Sequence, residues 1–262
     1  MMNLISLITD FGLSDNFVGV MKAAILKINP KARVVDICHQ VRPQDIRQAA
    51  FLLSSSFRFF PRGTVHLAVV DPGVGSRRRK IIVRTKDYYF VAPDNGLLAL
   101  ALKDEPPKKI IEITNEKYFL KPVSCTFHGR DIFAPVSAYL SRGESAGEFG
   151  RAVKSFRALE LPAVKINSRE LTGEIIYIDN FGNLVSNIDR SALESFIRNK
   201  RFSIRLKNNT LRRLSRAYME GTALQPLALI GSFGCLEIAV NAGSARDYLK
   251  ADKGDKIKVS IE

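Results

Sequence analysis

Residues 4–28 read LISLITDFGLSDNFVGVMKAAILKI, and this stretch decides the fold class. The run Leu4–Thr9 has the length and apolar content of a buried strand, and Asp10 ends it. Ser14 then stands where a helix cap is expected, because Phe17, Met21, Ile25 and Ile28 recur on one helical face until Pro30 stops the helix. The same alternation repeats. Residues 33–37 read as a second strand, Pro43 opens a second helix with Ile46, Ala50, Leu53 and Phe57 inward, and residues 64–70 read as a third strand. Strand, helix, strand, helix, strand implies a parallel sheet covered on both faces. Two strand-like runs, 80–84 and 88–92, precede a PDNG turn and the apolar segment 97–102, and a further helix is predicted to start near Asp131.

From about residue 142 the sequence SRGESAGEFG is rich in Gly and Ser. Beyond Lys165 short strands alternate with the turns NFGN, KNN, EGT and GSFG. Two domains are therefore expected: an α/β domain over residues 1–160 and a smaller β-rich domain over 168–262.

Composition bounds the function. The 262 residues are 46% hydrophobic, enough to fill a core, and 40 Lys and Arg against 26 acids give a formal charge of +14. Such a charge attracts polyanions without naming a ligand. Cys38, Cys125 and Cys235 are too dispersed for a disulfide framework or a zinc site and read as small core residues. The N-terminus lacks a basic region before its apolar run, and no apolar run approaches a membrane span of about 20 residues. A cytoplasmic, reducing location and no membrane contact are expected.

Ligands of parallel sheets collect at the carboxyl ends of the strands. Asp10, Asp36 and Asp71 all fall there, and Asp10 and Asp71 adjoin the Gly-bearing turns TDFG and DPGVG, where a ligand can approach the backbone. Asp36 lacks such a turn and reads as structural, as do His39 and His66. His128 differs, because Gly129, Arg130 and Asp131 surround it with charge and flexibility.

These residues carry a resemblance. ITDFGLSDNFVGVMK, VVDPGVGSRRRKI, APDNGLL, TFHGRDIFAP, IDNFGNLVSNI and GSFGCLEIAVNAGSA, in order along the chain, resemble the S-adenosyl-L-methionine (SAM) hydroxide adenosyltransferases, or SAM hydrolases, relatives of SAM-dependent fluorinating and chlorinating enzymes. The resemblance implies an N-terminal parallel-sheet α/β domain, a C-terminal β-barrel-like domain, and a homotrimer whose sites lie between subunits. It implies hydrolysis of SAM to adenosine and L-methionine with neither metal nor cofactor. Asp71, Arg78 and His128 match the family's water-activating trio, with Arg78 chosen by the DPGVG-x-x-R spacing and its neighbours Arg77, Arg79 and Lys80 read as solvated. Arg78 cannot be the base, since a guanidinium does not deprotonate, so Asp71 and His128 both remain as proton acceptors. Asp10 matches the acceptor of the ribose hydroxyls, with Asp15 in the same loop. Asp179 matches the partner of the methionine ammonium, Ser232 lies near its carboxylate, Asn183 meets the adenine edge, Phe181 and Tyr218 wall the adenine, and the backbone of Ala242 meets its polar edge. The halogenating relatives carry an aromatic residue in place of Asp71 and lack His128, so water is the expected nucleophile.

Two other readings compete. The basic run 198–216, RNKRFSIRLKNNTLRRLSR, with Phe202 and Ile204 between its cations, is the pattern of a nucleic-acid-binding strand surface or of a solvated hairpin rim. No recognition motif accompanies it, and no specific nucleic-acid partner is expected. A SAM-binding sensor without turnover would keep the fold, and the intact Asp71, Arg78 and His128 argue against it.

Overall fold

The run that opens the chain forms β1 (Leu4–Thr9), next to one edge of a seven-stranded sheet in this computed structural model, which describes residues 3–261. The chain divides near residue 160 into two compact units. In the first, β1 is followed by α1 (Phe17–Ile28), β2 (Arg33–Cys38), α2 (Ile46–Ser56), β3 (Val65–Val69), β4 (Lys80–Arg84), β5 (Tyr89–Pro93), α3 (Ala99–Asp104), β6 (Lys109–Ile113), α4 (Ala134–Arg142) and β7 (Gly150–Val153). The strand order is β2-β1-β3-β5-β4-β6-β7.

The all-parallel expectation holds only for half of this sheet. Strand β1 is parallel to β2 and β3, and β3 is parallel to β5, whereas β4 runs antiparallel to β5 and β6, and β6 antiparallel to β7. The cause is local: β4 and β5 are joined by residues 85–88, with Thr85 N–H bonded to Tyr88 O at 3.0 Å, and so short a link permits only a hairpin. The last strand, β7, begins where the Gly- and Ser-rich segment ends, and at Gly150 (φ 153°) a Cβ would overlap Glu112 O across the ladder.

Helix α1 also differs in detail. Asn16, not Ser14, precedes it, and its buried residues are Val18, Met21, Ala24 and Ile25, leaving Phe17 41% exposed. Met21 and Ile25 face inward as expected and Ile28 packs against the same core, while Val18 and Ala24 take the place of Phe17. In α2, Asp45 caps the first turn by accepting from Gln48 N–H, and Phe57 beyond its end is fully buried. Burying a side chain of that size contributes about 1.5–3 kcal/mol.

The second unit contains β8 (Lys165–Ile166), β9 (Glu170–Ile178), β10 (Leu184–Asp189), α5 (Arg190–Ile197), β11 (Phe202–Leu206), β12 (Asn209–Leu211), β13 (Leu214–Ser215), β14 (Pro226–Ile230), β15 (Cys235–Val240), α6 (Ala245–Leu249) and β16 (Lys256–Ile261). Their sheet follows the order β12-β11-β16-β9-β10-β15-β14-β13, with β8 on β9, and curls into a half-barrel that brings β12 near β14. In the basic run, Ile204 and Leu206 are buried while Arg205 is exposed, so its apolar residues serve the core and its cations form the rim. Among the described residues no helix is long and apolar enough to cross a membrane.

Candidate active site

In the first unit the strand order reverses at β1, with β2 on one side and β3 on the other. Thr9 pairs with Val69 in the parallel β1–β3 ladder, so the chain leaves the sheet at Asp10 and at Val70-Asp71 side by side. This is the crevice in which open α/β sheets bind ligands.

The loop after β3 folds back on itself. Val74 N–H bonds to Asp71 O, Ser76 N–H to Gly73 O, and Arg78 N–H to Ser76 Oγ, which turns the Arg78 side chain toward Asp71. Gly75, at φ 77°, passes so close to the segment carrying Cys125 that a Cβ would lie 2.5 Å from its carbonyl oxygen. Only glycine meets both demands.

Arg78 joins the other two members of the trio. Its Nε donates to Asp71 Oδ1 at 2.7 Å and Oδ2 at 2.9 Å, its Nη2 donates to Asp71 Oδ2, and the same Nη2 donates to His128 Nδ1 at 2.9 Å. The side chains of Asp71 and Arg78 are 5% and 9% exposed, and the guanidinium lies 5.4 Å from the centre of the Phe133 ring. Arg78 Nη1 is buried and makes no hydrogen bond to any described residue. His128 is buried at the entry to a π-helical turn, Gly129–Phe133, that leads into α4. Such turns often re-aim side chains at functional sites. Asp131 is committed elsewhere: it accepts from Arg130 Nε at 2.6 Å and from Ser124 N–H at 2.8 Å, pinning the preceding loop.

This geometry fixes the His128 tautomer. A guanidinium can only donate, so Nδ1 accepts and the imidazole proton sits on Nε2. Burial, followed by the nearby cations of Arg78 and Lys80, holds the His128 pKa below its ordinary value and keeps the ring neutral at neutral pH. The cations beside Arg78 are not all solvated as expected. Arg79 Nε donates to Asp94 Oδ2 at 2.8 Å, and Lys80 is half-buried, with burial and then Arg78 lowering its pKa.

Asp10 is half-buried and accepts from Gln44 N–H at 2.8 Å through Oδ2, while Asp15 is exposed. Gln44 adopts φ 67° to present that N–H, an unusual conformation for a side chain of its size.

In the second unit, Asp179, Phe181 and Asn183 share the turn between β9 and β10. Asp179 accepts from the backbone N–H groups of Phe181 and Asn183, both at 2.9 Å, and from Asn183 Nδ2 at 2.8 Å. Asn183 Oδ1 is the acceptor that remains, and Phe181 stands 75% exposed. Ser232 is exposed in the turn between β14 and β15, and Ala242 adopts φ 57° just past β15. Tyr218 is 43% exposed yet donates its hydroxyl to Glu237 Oε1 at 2.8 Å, and burial together with that contact pushes its pKa up to about 12.

Glu237 escaped the sequence reading. It is 2% exposed, its pKa is raised by burial, and Gly231 leaves the space its carboxylate fills. The available signal was a lone acid inside the apolar strand CLEIAV. Among the described residues no group of three or more His, Cys, Asp or Glu side chains is arranged to hold a metal ion.

Family models match the chain in both units: the SAM hydroxide adenosyltransferase N-terminal domain over residues 5–150, and the corresponding C-terminal domain over residues 173–258. The chain belongs to the SAM hydroxide adenosyltransferase family. Among its relatives, an (R)-S-adenosyl-L-methionine hydrolase from Salinispora tropica is 37% identical over 98% of this chain and 97% of its own length. A crystal structure of an uncharacterized conserved protein from Thermotoga maritima superimposes with a TM-score of 0.90 at 37% identity, covering 98% of this chain and 99% of the other. A fluorinase from an Actinoplanes species is more distant, at 29% identity over 73% of each chain. This adenosyltransferase is thus similar in sequence to enzymes named for hydrolysis and, further off, for halogenation.

Proposed function

We propose that this protein hydrolyses SAM to adenosine and L-methionine, and that Asp71, Arg78 and His128 activate the attacking water. The observation that carries this reading is the Arg78 guanidinium, which grips a buried carboxylate and an imidazole while its Nη1 has no partner among the described residues. The water oxygen attacks ribose C5′, the C5′–S bond breaks, and its electron pair neutralises the sulfonium as methionine leaves. The leaving group needs neither acid nor metal. Water is the weak reactant, so the protein's task is to take its proton and hold the developing hydroxide.

The hydrogen-bond directions divide the labour. With Nδ1 occupied by Arg78 and Nε2 protonated, the imidazole has no free lone pair and serves as a donor that orients the water. Asp71 retains unused lone pairs and accepts the proton, and Arg78 Nη1 stabilises the hydroxide as it forms. Asp10, with Oδ2 taken by Gln44, offers Oδ1 to the ribose hydroxyls, and Asp15 lies beside it in the same loop. Asp179 and Ser232 receive the methionine ammonium and carboxylate, and Phe181, Tyr218, Asn183 and the backbone of Ala242 surround the adenine. The active form is a cytoplasmic homotrimer in which each site combines the first unit of one subunit with the second unit of its neighbour.

Incubation of the pure protein with each sulfonium epimer of SAM, in buffer containing excess chloride, is expected to release adenosine and methionine in equal amounts from the (R) form. Chromatography that finds a 5′-chlorinated nucleoside, or no turnover of either epimer, would overturn the reading. The shared site makes a separate prediction: inactive Asp10→Ala and inactive Asp179→Ala subunits, once exchanged into mixed trimers, regain a fraction of wild-type activity. If native mass spectrometry confirms mixing and activity stays absent, the site lies within one subunit.

A further inference from the structure

Beneath the proposed ribose site lies a buried polar chain that the chemistry above leaves unused. Thr9, fully buried at the end of β1, has Oγ1 2.8 Å from His39 Nδ1, and Phe11 N–H donates to the same Oγ1 at 3.3 Å. His39 is 4% exposed. Its Nε2 lies 3.1 Å from Asp36 Oδ1 in a bent geometry, and Lys22 of α1 donates to Asp36 Oδ2 at 2.6 Å. The His39 carbonyl also accepts from Gly12 N–H at 2.7 Å.

Only the Asp36 end of this chain has fixed polarity. Thr9 Oγ1 accepts from the Phe11 amide and, with a second lone pair and one proton, can pair with His39 Nδ1 in either direction, so the ring decides which. At the far end, burial pulls the Asp36 pKa up, but the Lys22 and His39 contacts outweigh that and keep it below the ordinary value, so Asp36 accepts as a carboxylate. A neutral imidazole facing that carboxylate carries its proton on Nε2, 3.1 Å from Asp36 Oδ1 though short of hydrogen-bond geometry, and accepts from Thr9 Oγ1 at Nδ1. The protons of the chain are therefore ordered from the loop to the solvent edge.

Asp10 sits between Thr9 and Phe11, the two residues that this chain ties together, and two residues before Gly12, whose N–H donates to the His39 carbonyl. Gln44 N–H fixes one of its oxygens from the other side. We infer that Thr9, His39 and Asp36 are positioning residues that hold the Asp10 carboxylate at the angle needed to receive the ribose hydroxyls. This rests on the reading of Asp10 as the ribose acceptor. An apolar residue at 39 would fill the space and take away the ring partner of the Thr9 hydroxyl, freeing the loop to turn.

The test uses Thr9→Val, which keeps the shape and removes the hydroxyl, and Thr9→Ser, which restores it. Thr9→Val is expected to raise the adenosine Kd and the SAM KM about tenfold, as loss of one well-placed hydrogen bond does, with methionine affinity and kcat changing far less. Thr9→Ser should recover most of the loss, and in an Asp10→Asn background Thr9→Val should add nothing. Asp36→Asn, at the half-exposed end, should shift adenosine affinity in the same direction by a smaller factor and serves if Thr9→Val does not fold. Losses that multiply with Asp10→Asn, that strike methionine equally, or that Thr9→Ser fails to recover would overturn the inference alone. If Asp10→Asn itself leaves adenosine affinity unchanged, the ribose reading falls and this inference with it.

Discussion

Asp71→Asn is expected to lower kcat about 10²- to 10⁴-fold, the usual contribution of a general base, while the KM for SAM changes little. The substitution preserves size and planarity but removes the negative charge, so Arg78 loses its ionic partner and water loses its proton acceptor. His128→Ala should also depress kcat, but less. The imidazole's only lone pair is already engaged by Arg78 Nη2, so what disappears is an orienting donor rather than the base. Single-turnover rates with saturating SAM separate chemistry from product release. An Asp71→Asn rate within about threefold of wild type would remove the carboxylate from the mechanism, and a His128→Ala rate below that of Asp71→Asn would make the imidazole the base.

What the sequence discloses and what it hides follow from the range of the interactions involved. Strand β1, the end of α1 at Pro30 and the hairpin strand β4 are set by local periodicity and breakers, and they fall where the residues alone put them. Pairing direction is not local: the hairpin of residues 85–88 reverses half the sheet, and β6 and β7 come from short segments, KIIEI and GRAV, the second opening on Gly150. At the site, residue types and motif order name Asp71, Arg78 and His128, but nothing in their spacing says that one guanidinium nitrogen would contact both partners. The roles of His39 and Asp36 were hidden for the same reason. Each looks ordinary in its own segment, and the chain they form exists only because β1 and β2 lie side by side. Glu237 is a further case, a buried acid whose partner Tyr218 lies 19 residues away.

Arg78 is the residue whose replacement should cost most, because it serves charge balance, tautomer and catalysis at once. Arg78→Met strands a carboxylate whose side chain is only 5% exposed, and loss of one partner from a buried ion pair destabilises by about 3–5 kcal/mol. Thermal melts should show that loss as a marked fall in Tm, alongside a loss of turnover at least as large as that of Asp71→Asn. The pH dependence supplies an independent check. In the native protein burial, then the cations of Arg78 and Lys80, depress the His128 pKa, so the neutral ring persists to a lower pH than an ordinary imidazole would. Removing the Arg78 charge leaves burial and Lys80 in place but lifts part of the depression, so the His128 pKa should rise and any acid limb that reports it should move to higher pH. The imidazole proton resonances of His128 measure this directly. Arg78→Lys separates the roles: a point charge can pair with Asp71 and recover much of the stability, yet it cannot also donate to His128 and keep a further donor aimed at hydroxide. Stability recovered without turnover is the expected result, whereas an Arg78→Lys enzyme with kcat near wild type would show that charge alone, without the planar fork, activates the water.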